Sequence, residues 1–191
     1  MNDIIVDSAM SVDEALRQNP DSLAPGEVME RQRLVDVEYY GFDKKLHSGQ
    51  IVVDVDLVDD IEEVFKVIRK TRFPLNTVIP ISDQRFNFDD EKSIYANNTS
   101  GFNYRSIHGR QTPSNHSFGR TIDINPWINP YIREDYQIPK GVIYDPNALG
   151  ALKADGEIVQ FFKSRGWDWL GERSYDKDYQ HFQKPVVNTT A

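Results

Sequence analysis

The sequence predicts an α+β fold, a small antiparallel sheet with flanking helices. Three observations carry this. Leu34 to Tyr40 alternates, with Val35, Val37 and Tyr39 on one face, the period of a half-buried strand. Ile61, Val64, Phe65 and Ile68 recur at the period of a helix. Strands and helices are interspersed along the chain without the regular strand–helix–strand order of a parallel sheet.

Taken in order, Ser11-Val12-Asp13-Glu14 has capping-box spacing and starts a short helix, which Asn19-Pro20 and Pro25-Gly26 break. The first strand follows over Leu34 to Tyr40. His47-Ser48-Gly49-Gln50 reads as a turn, and Ile51 to Leu57 as a second strand. A helix begins at Asp59 or Asp60 and ends near Phe73-Pro74. Leu75 to Ile81 reads as a third short strand, and Asp89 to Tyr95 as a short helix. Thr121-Ile122-Asp123-Ile124-Asn125 alternates, so Thr121, Asp123 and Asn125 share a face while Ile122 and Ile124 point into the core. Residues 126–147, rich in proline and aromatics, form the least regular piece. Such a long loop inside a compact domain is usually functional, and this one is expected to border a cleft because it follows Asp123 directly. Asp155 to Arg165 is a helix with Ile158, Phe161 and Phe162 inward, Gly166 caps it, and Trp167-Asp168-Trp169 begins a strand. The division expected is residues 1–45 as an N-terminal arm and first layer of the same domain, and 46–187 as the functional domain.

The bulk properties exclude several classes. With 191 residues, 39% hydrophobic and 27% charged, the chain has the size and composition of a soluble globular domain. A formal charge of -8 disfavours nucleic acid as a partner and any broad electrostatic grip on an anionic surface. There is no cysteine, so a cysteine nucleophile and cysteine metal ligands are excluded. No apolar run of about 18 residues exists to span a membrane, and the first residues lack the pattern of an export signal. Oligomeric state is not legible.

Two stretches carry the chemistry: Ser114-Asn115-His116-Ser117-Phe118-Gly119-Arg120-Thr121-Ile122-Asp123 and Asp178-Tyr179-Gln180-His181-Phe182. They offer two imidazoles, one carboxylate ligand and one spare carboxylate. That is the minimum for a catalytic zinc site with an open coordination position. The spacing of His116 and Asp123 suits a turn leading into a strand, with Gly119 free to take a positive φ between them. His181 supplies a third ligand. Asp178, three residues before it, is the spare carboxylate and can act as general base. Ser114 is either a substrate contact or a turn cap. His108 and His47 read as loop histidines, and Trp127, Trp167 and Trp169 as core or pocket wall.

Ser114-x-His116-x-x-Gly119-x-x-x-Asp123 followed by Asp178-x-x-His181 resembles the zinc D-alanyl-D-alanine carboxypeptidases. That family includes vancomycin-resistance carboxypeptidases and dipeptidases and certain L-alanyl-D-glutamate endolysins. Ser100-Gly101-Phe102-Asn103-Tyr104-Arg105 and Trp167-Asp168-Trp169 extend the resemblance over roughly residues 46–185. Thr121 departs from it, standing where the family commonly has alanine. The resemblance implies a hedgehog/D,D-peptidase fold, one Zn²⁺ per chain on His116, Asp123 and His181, a base at Asp178 and a transition-state arginine at Arg105. Without it, Arg105 reads as a surface or ion-paired residue.

The function expected is zinc-dependent hydrolysis of peptidoglycan stem peptides, with the D-alanyl-D-alanine bond first. The alternatives are an L-alanyl-D-glutamate endopeptidase on the same scaffold and a non-catalytic zinc module that binds the cell wall. In the latter, Asp178 would close the metal's coordination. Such substrates lie in the periplasm or outside the cell, so that is the expected location.

Overall fold

The structure is a computed structural model and describes residues 4–106 and 112–185. His108 therefore lies outside the described residues. Among the described residues no helix is long and apolar enough to cross a membrane.

A short strand β1 (Ile5–Val6) is followed by α1 (Val12–Ala15) and α2 (Gly26–Met29). The capping box is made: Ser11 Oγ accepts from Glu14 N while Glu14 accepts from Ser11 N. β2 (Gln32–Tyr40) and β3 (Leu46–Asp54) then pair antiparallel, from Gln32 opposite Asp54 to Tyr40 opposite Leu46, and β1 adds parallel to β3. The turn expected at His47–Gln50 is instead strand. Chain reversal occurs earlier, at Gly41–Lys45, where Lys44 takes a φ of 65°. Small and polar residues suggested a turn, yet His47 is buried, with Nδ1 2.7 Å from Asp7 and Nε2 3.1 Å from Asp43.

α3 (Val58–Thr71) packs on this sheet through Ile61, Val64, Phe65 and Ile68, the stripe its period predicts. Arg72 closes it in the left-handed conformation. Of the strand expected over Leu75 to Ile81 only β4 (Thr77–Val78) forms. α4 (Asp90–Tyr95) is capped by Asp89, and β5 (Asn98–Thr99) pairs parallel with β4. β6 (Thr121–Asp123) stops before Asn125, whose φ of 44° ends the extended run. Asn125 Nδ2 donates to Pro74 O and Gly150 O, which ties three loops together.

The stretch read as irregular contains a hairpin, β7 (Tyr131–Arg133) and β8 (Tyr136–Ile138). α5 (Glu157–Ser164) buries Ile158, Val159 and Phe162, and Gly166 follows with a φ of 81°. β9 (Asp168–Trp169), β10 (Lys177–Asp178) and β11 (His181–Gln183) complete the chain. The strands form sheets in the orders β1-β3-β2, β6-β11-β9, β10-β7-β8 and β4-β5, with antiparallel pairs predominating. The architecture is α+β.

One core joins the β2–β3 face, α3, α5, Ile122, Ile124, Trp167, Trp169 and Phe182. Each large apolar side chain buried there contributes roughly 1.5–3 kcal/mol. A buried carboxylate pins its edge. Asp60 accepts from Lys184 Nζ at 2.6 Å, Trp167 Nε1 at 2.9 Å and Arg165 Nε at 2.8 Å, joining α3 to the end of α5 and to the chain just past β11. Burial raises its pKa, but those donors outweigh burial and hold the carboxyl below its ordinary value. Because the folded pKa lies below the unfolded one, this stabilisation is present above the ordinary carboxylate range. It is lost as pH falls through the folded value.

Asp60→Asn should therefore lower unfolding free energy by about 2–4 kcal/mol at pH 7, since it strips the charge from three donors. Urea denaturation checks this, and the gap between variant and wild type should narrow as pH drops below about 4.

Candidate metal centre

The site is assembled on β6 and β11. Their antiparallel register sets His181 opposite Asp123 and Gln183 opposite Thr121. By strand alternation these four share one face, while Ile122 and Phe182 enter the core on the other. His181 Nδ1 lies 2.9 Å from Asp123 Oδ1.

His116 arrives from a single turn of 3₁₀ helix, Asn115–Phe118, capped by Ser114, whose Oγ accepts from His116 N at 3.3 Å. Gly119 ends that turn with a φ of 66°. A Cβ there would lie 2.1 Å from Gln32 Oε1 and 2.7 Å from Asp54 N, so both the conformation and the space require glycine. The Gly119 carbonyl accepts from Asp54 N at 2.9 Å and fixes the reversal against β3.

The stretch Ser100–Arg105 forms the third wall. Ser100 and Asp123 exchange two backbone hydrogen bonds, and Phe102 N donates to Val52 O. Gly101 fits because a Cβ would meet Val52 O at 2.4 Å. Its carbonyl accepts from His116 Nδ1 at 2.7 Å, which fixes the tautomer and turns Nε2 inward, 3.2 Å from Asp123 Oδ2.

One ligand atom each from His116, Asp123 and His181 thus lies within 4.8 Å of the others, a group that could hold a metal ion. Each imidazole nitrogen approaches a different oxygen of Asp123, at 2.9 and 3.2 Å, and two imidazoles with a carboxylate are a donor set that zinc takes. Burial opposes charge on Asp123, but the two imidazoles outweigh it and hold the carboxyl well below the usual range. Burial lowers the His116 pKa, and Asp123 more than reverses that.

Asp178 stands beside the group and outside it. Its Oδ2 is 3.9 Å from His181 Nδ1, and its Oδ1 is buried with no hydrogen-bond partner among the described residues. Burial first, and the Asp123 charge second, push its pKa up to about 6 against the pull of His181. β10 carries it and pairs with β7, setting Asp178 opposite Tyr131. The 126–147 segment therefore borders the site, through its hairpin. Tyr136, on the other strand of that hairpin, feels the charges of Glu91, Asp90 and Arg105.

Arg105 Nη2 donates to Asp90 Oδ2 at 2.6 Å, its Nε is buried with no partner among the described residues, and its charge acts on His116. It is ion-paired, as its isolated sequence suggested, and close to the metal group as well.

Residues 108–184 match the family model described as D-alanyl-D-alanine carboxypeptidase. The family resemblance is shown over this segment. It contains the three candidate ligands, Asp178 and Ser114, and it supports a peptidase of the cell-wall type. Comparison with curated proteins and with solved structures gave no match.

Sequence reasoning did not find Asp90, nor the Gly101 carbonyl behind His116. The first is one acidic residue among several at a helix start, and the second is a backbone atom with no side-chain signature.

Gly119→Ala should cost at least about 2 kcal/mol, combining positive-φ strain with the clash at Asp54 N. Thermal denaturation measures the loss. His116 should also shift with its turn, seen as a displaced imidazole resonance in NMR spectra.

Proposed function

We propose that the chain is a zinc-dependent hydrolase of peptide bonds in peptidoglycan stem peptides, acting as a D-alanyl-D-alanine carboxypeptidase. The observation that carries the reading is a carboxylate, Asp178, beside a His-Asp-His group but not in it. A structural zinc site is normally closed by a fourth protein ligand. A spare buried carboxylate with an unpartnered oxygen suits proton transfer instead. This favours an enzyme over a wall-binding module.

His116, Asp123 and His181 are the ligands of one Zn²⁺. When bound, the ion supplies a Lewis acid that polarises a carbonyl and lowers the pKa of water. Asp178 takes a proton from the attacking water and passes it to the leaving amine. Arg105 meets the carbonyl oxygen as negative charge develops, a contribution worth roughly 3–4 kcal/mol. Asp90 holds that guanidinium through Nη2. Ser114, already tied to His116 N, takes the lesser role of offering its hydroxyl proton to substrate. The place of action is the periplasm or the cell exterior, where such peptides are found.

Metal analysis should find one zinc per chain in protein loaded with Zn²⁺ and then dialysed. His181→Ala should lose both zinc and activity, because removing one of three protein ligands weakens the ion's hold.

Asp178→Ala should behave differently. Zinc content and fold should persist while turnover of a D-Ala-D-Ala-terminated peptide falls by about 10² or more. Near-wild-type turnover in a folded, zinc-replete Asp178→Ala protein would sink the assignment. Product analysis on muropeptides identifies the bond: free D-alanine supports the carboxypeptidase, and cleavage nearer the sugar supports the endopeptidase.

A further inference from the structure

The turn that carries His116 also grips the segment that carries Arg105. Gly101, Asn103 and Arg105 each bond to it, at the alternate spacing of an extended chain. The first two contacts serve the metal group. Gly101 O accepts from His116 Nδ1 at 2.7 Å, and Asn103 N donates to His116 O at 3.1 Å. The third contact goes to the next residue of the turn. Ser117 Oγ accepts from Arg105 N at 3.1 Å and donates to Arg105 O at 2.8 Å.

A serine in a helical turn ordinarily bonds back to a carbonyl three or four residues earlier. Ser117 instead reaches a residue 12 positions away and spends its single proton there. It is fully buried, so the pair is shielded from solvent. Ser114 N adds a second bond to the same Arg105 carbonyl, at 2.8 Å. Both backbone polar groups of Arg105 are therefore held by the turn that presents a metal ligand.

The far end of the side chain is held separately. Asp90 accepts from Arg105 Nη2 at 2.6 Å, and Asn103 Nδ2 steadies Asp90 at 3.3 Å. The arginine is thus fixed at its root by Ser117 and at its tip by Asp90. Stabilising a developing oxyanion demands such fixing, because a donor must stand about 2.7–3.1 Å from where the charge forms. Anchoring Arg105 to the His116 turn keeps its distance from the metal group constant.

We propose that Ser117 is a positioning residue, whose hydroxyl sets where Arg105 stands relative to the metal group. It acts through Arg105 and is not one of the metal-holding residues. The inference rests on the peptidase reading above, and its test separates the two.

Ser117→Ala, Arg105→Ala and the double variant are compared with the wild type, all zinc-loaded, on the acetylated pentapeptide L-Ala-γ-D-Glu-L-Lys-D-Ala-D-Ala. This probe contains both candidate bonds, so the comparison runs whichever is cut. Arg105→Ala should lower kcat by about 10²–10³, the scale for losing an oxyanion donor. Ser117→Ala should lower kcat at least about tenfold with KM held within about twofold, since the arginine acts on charge that appears in the transition state. Zinc content should stay at the wild-type value, because the His116 contacts to Gly101 and Ser114 do not use the Ser117 hydroxyl. The double variant should be slower than Arg105→Ala by no more than about twofold. A serine that merely supports the fold would slow both backgrounds equally. Wild-type kcat in folded Ser117→Ala overturns the proposal, as does a double variant whose losses multiply, or a loss of zinc. If Ser117→Ala does not fold, Ser117→Gly takes its place. Amide exchange decides independently of turnover: the Arg105 N–H loses its acceptor, so it should exchange at least about tenfold faster in the Ser117 variant. If the wild type cuts neither bond, the peptidase reading fails and this rate alone decides the clamp. Faster exchange keeps it, and an unchanged rate removes it.

Discussion

The register between β6 and β11 is the constraint on which the site depends. It sets His181 opposite Asp123 and puts Ile122 and Phe182 into the core. Side-chain direction alternates along a strand, so a slip of one residue would exchange the two faces. Asp123 and His181 would then enter the core and the core residues would face solvent. The hydrophobic burial of Ile122 and Phe182 thus fixes the geometry of Asp123 and His181. Folding energy and site geometry are set by the same pairing.

Around that pairing the structure spends its buried charges as fasteners. Asp60 ties the segment just after β11 to α3 through Lys184. Asp54, nearly inaccessible, accepts from Arg31 and Arg120 at the end of β3, while its own N–H holds the Gly119 carbonyl. Each carboxylate is depressed below its ordinary pKa because its cationic donors outweigh burial. One fastener secures the return of His181, the other the turn that presents His116. Breaking either would leave uncompensated charge near the site, which costs more than the pair contributes.

Much of this was legible in the sequence. The alternation of Val35, Val37 and Tyr39, the stripe on α3 and the face shared by Thr121 and Asp123 all follow from periodicity, which depends only on local geometry. Gly119 was legible because a close ligand pair across a reversal needs a positive φ. The misreadings have one cause, tertiary context. Ser48 and Gly49 have turn composition, yet full-length pairing with β2 keeps them in a strand, and Gly49 lets Val78 O pack close. The hairpin within 126–147 was hidden because β7 gains its partner from β10, some 45 residues later. The roles of Asp90 and the Gly101 carbonyl depend on three-dimensional proximity alone.

The two carboxylates nearest His181 are carried by different sheets. Asp123 is on β6, in the sheet that also holds His181, while Asp178 is on β10, in the sheet of the β7–β8 hairpin. Only Tyr179 and Gln180 separate Asp178 from the ligand strand, and Trp169 Nε1 donates to the Tyr179 carbonyl at 2.9 Å, anchoring that link to the core. The metal group is consequently held by core packing, and the neighbouring carboxylate by pairing with a peripheral hairpin. Changes in the hairpin can reposition Asp178 relative to His181 without disturbing the register that sets the His-Asp-His group. For the hydrolase proposed above that separation matters, because ion binding needs fixed ligands whereas proton transfer depends on how closely a base approaches the substrate. The hairpin also carries Tyr136 towards Arg105, so the same peripheral element borders both groups assigned to proton transfer and oxyanion stabilisation.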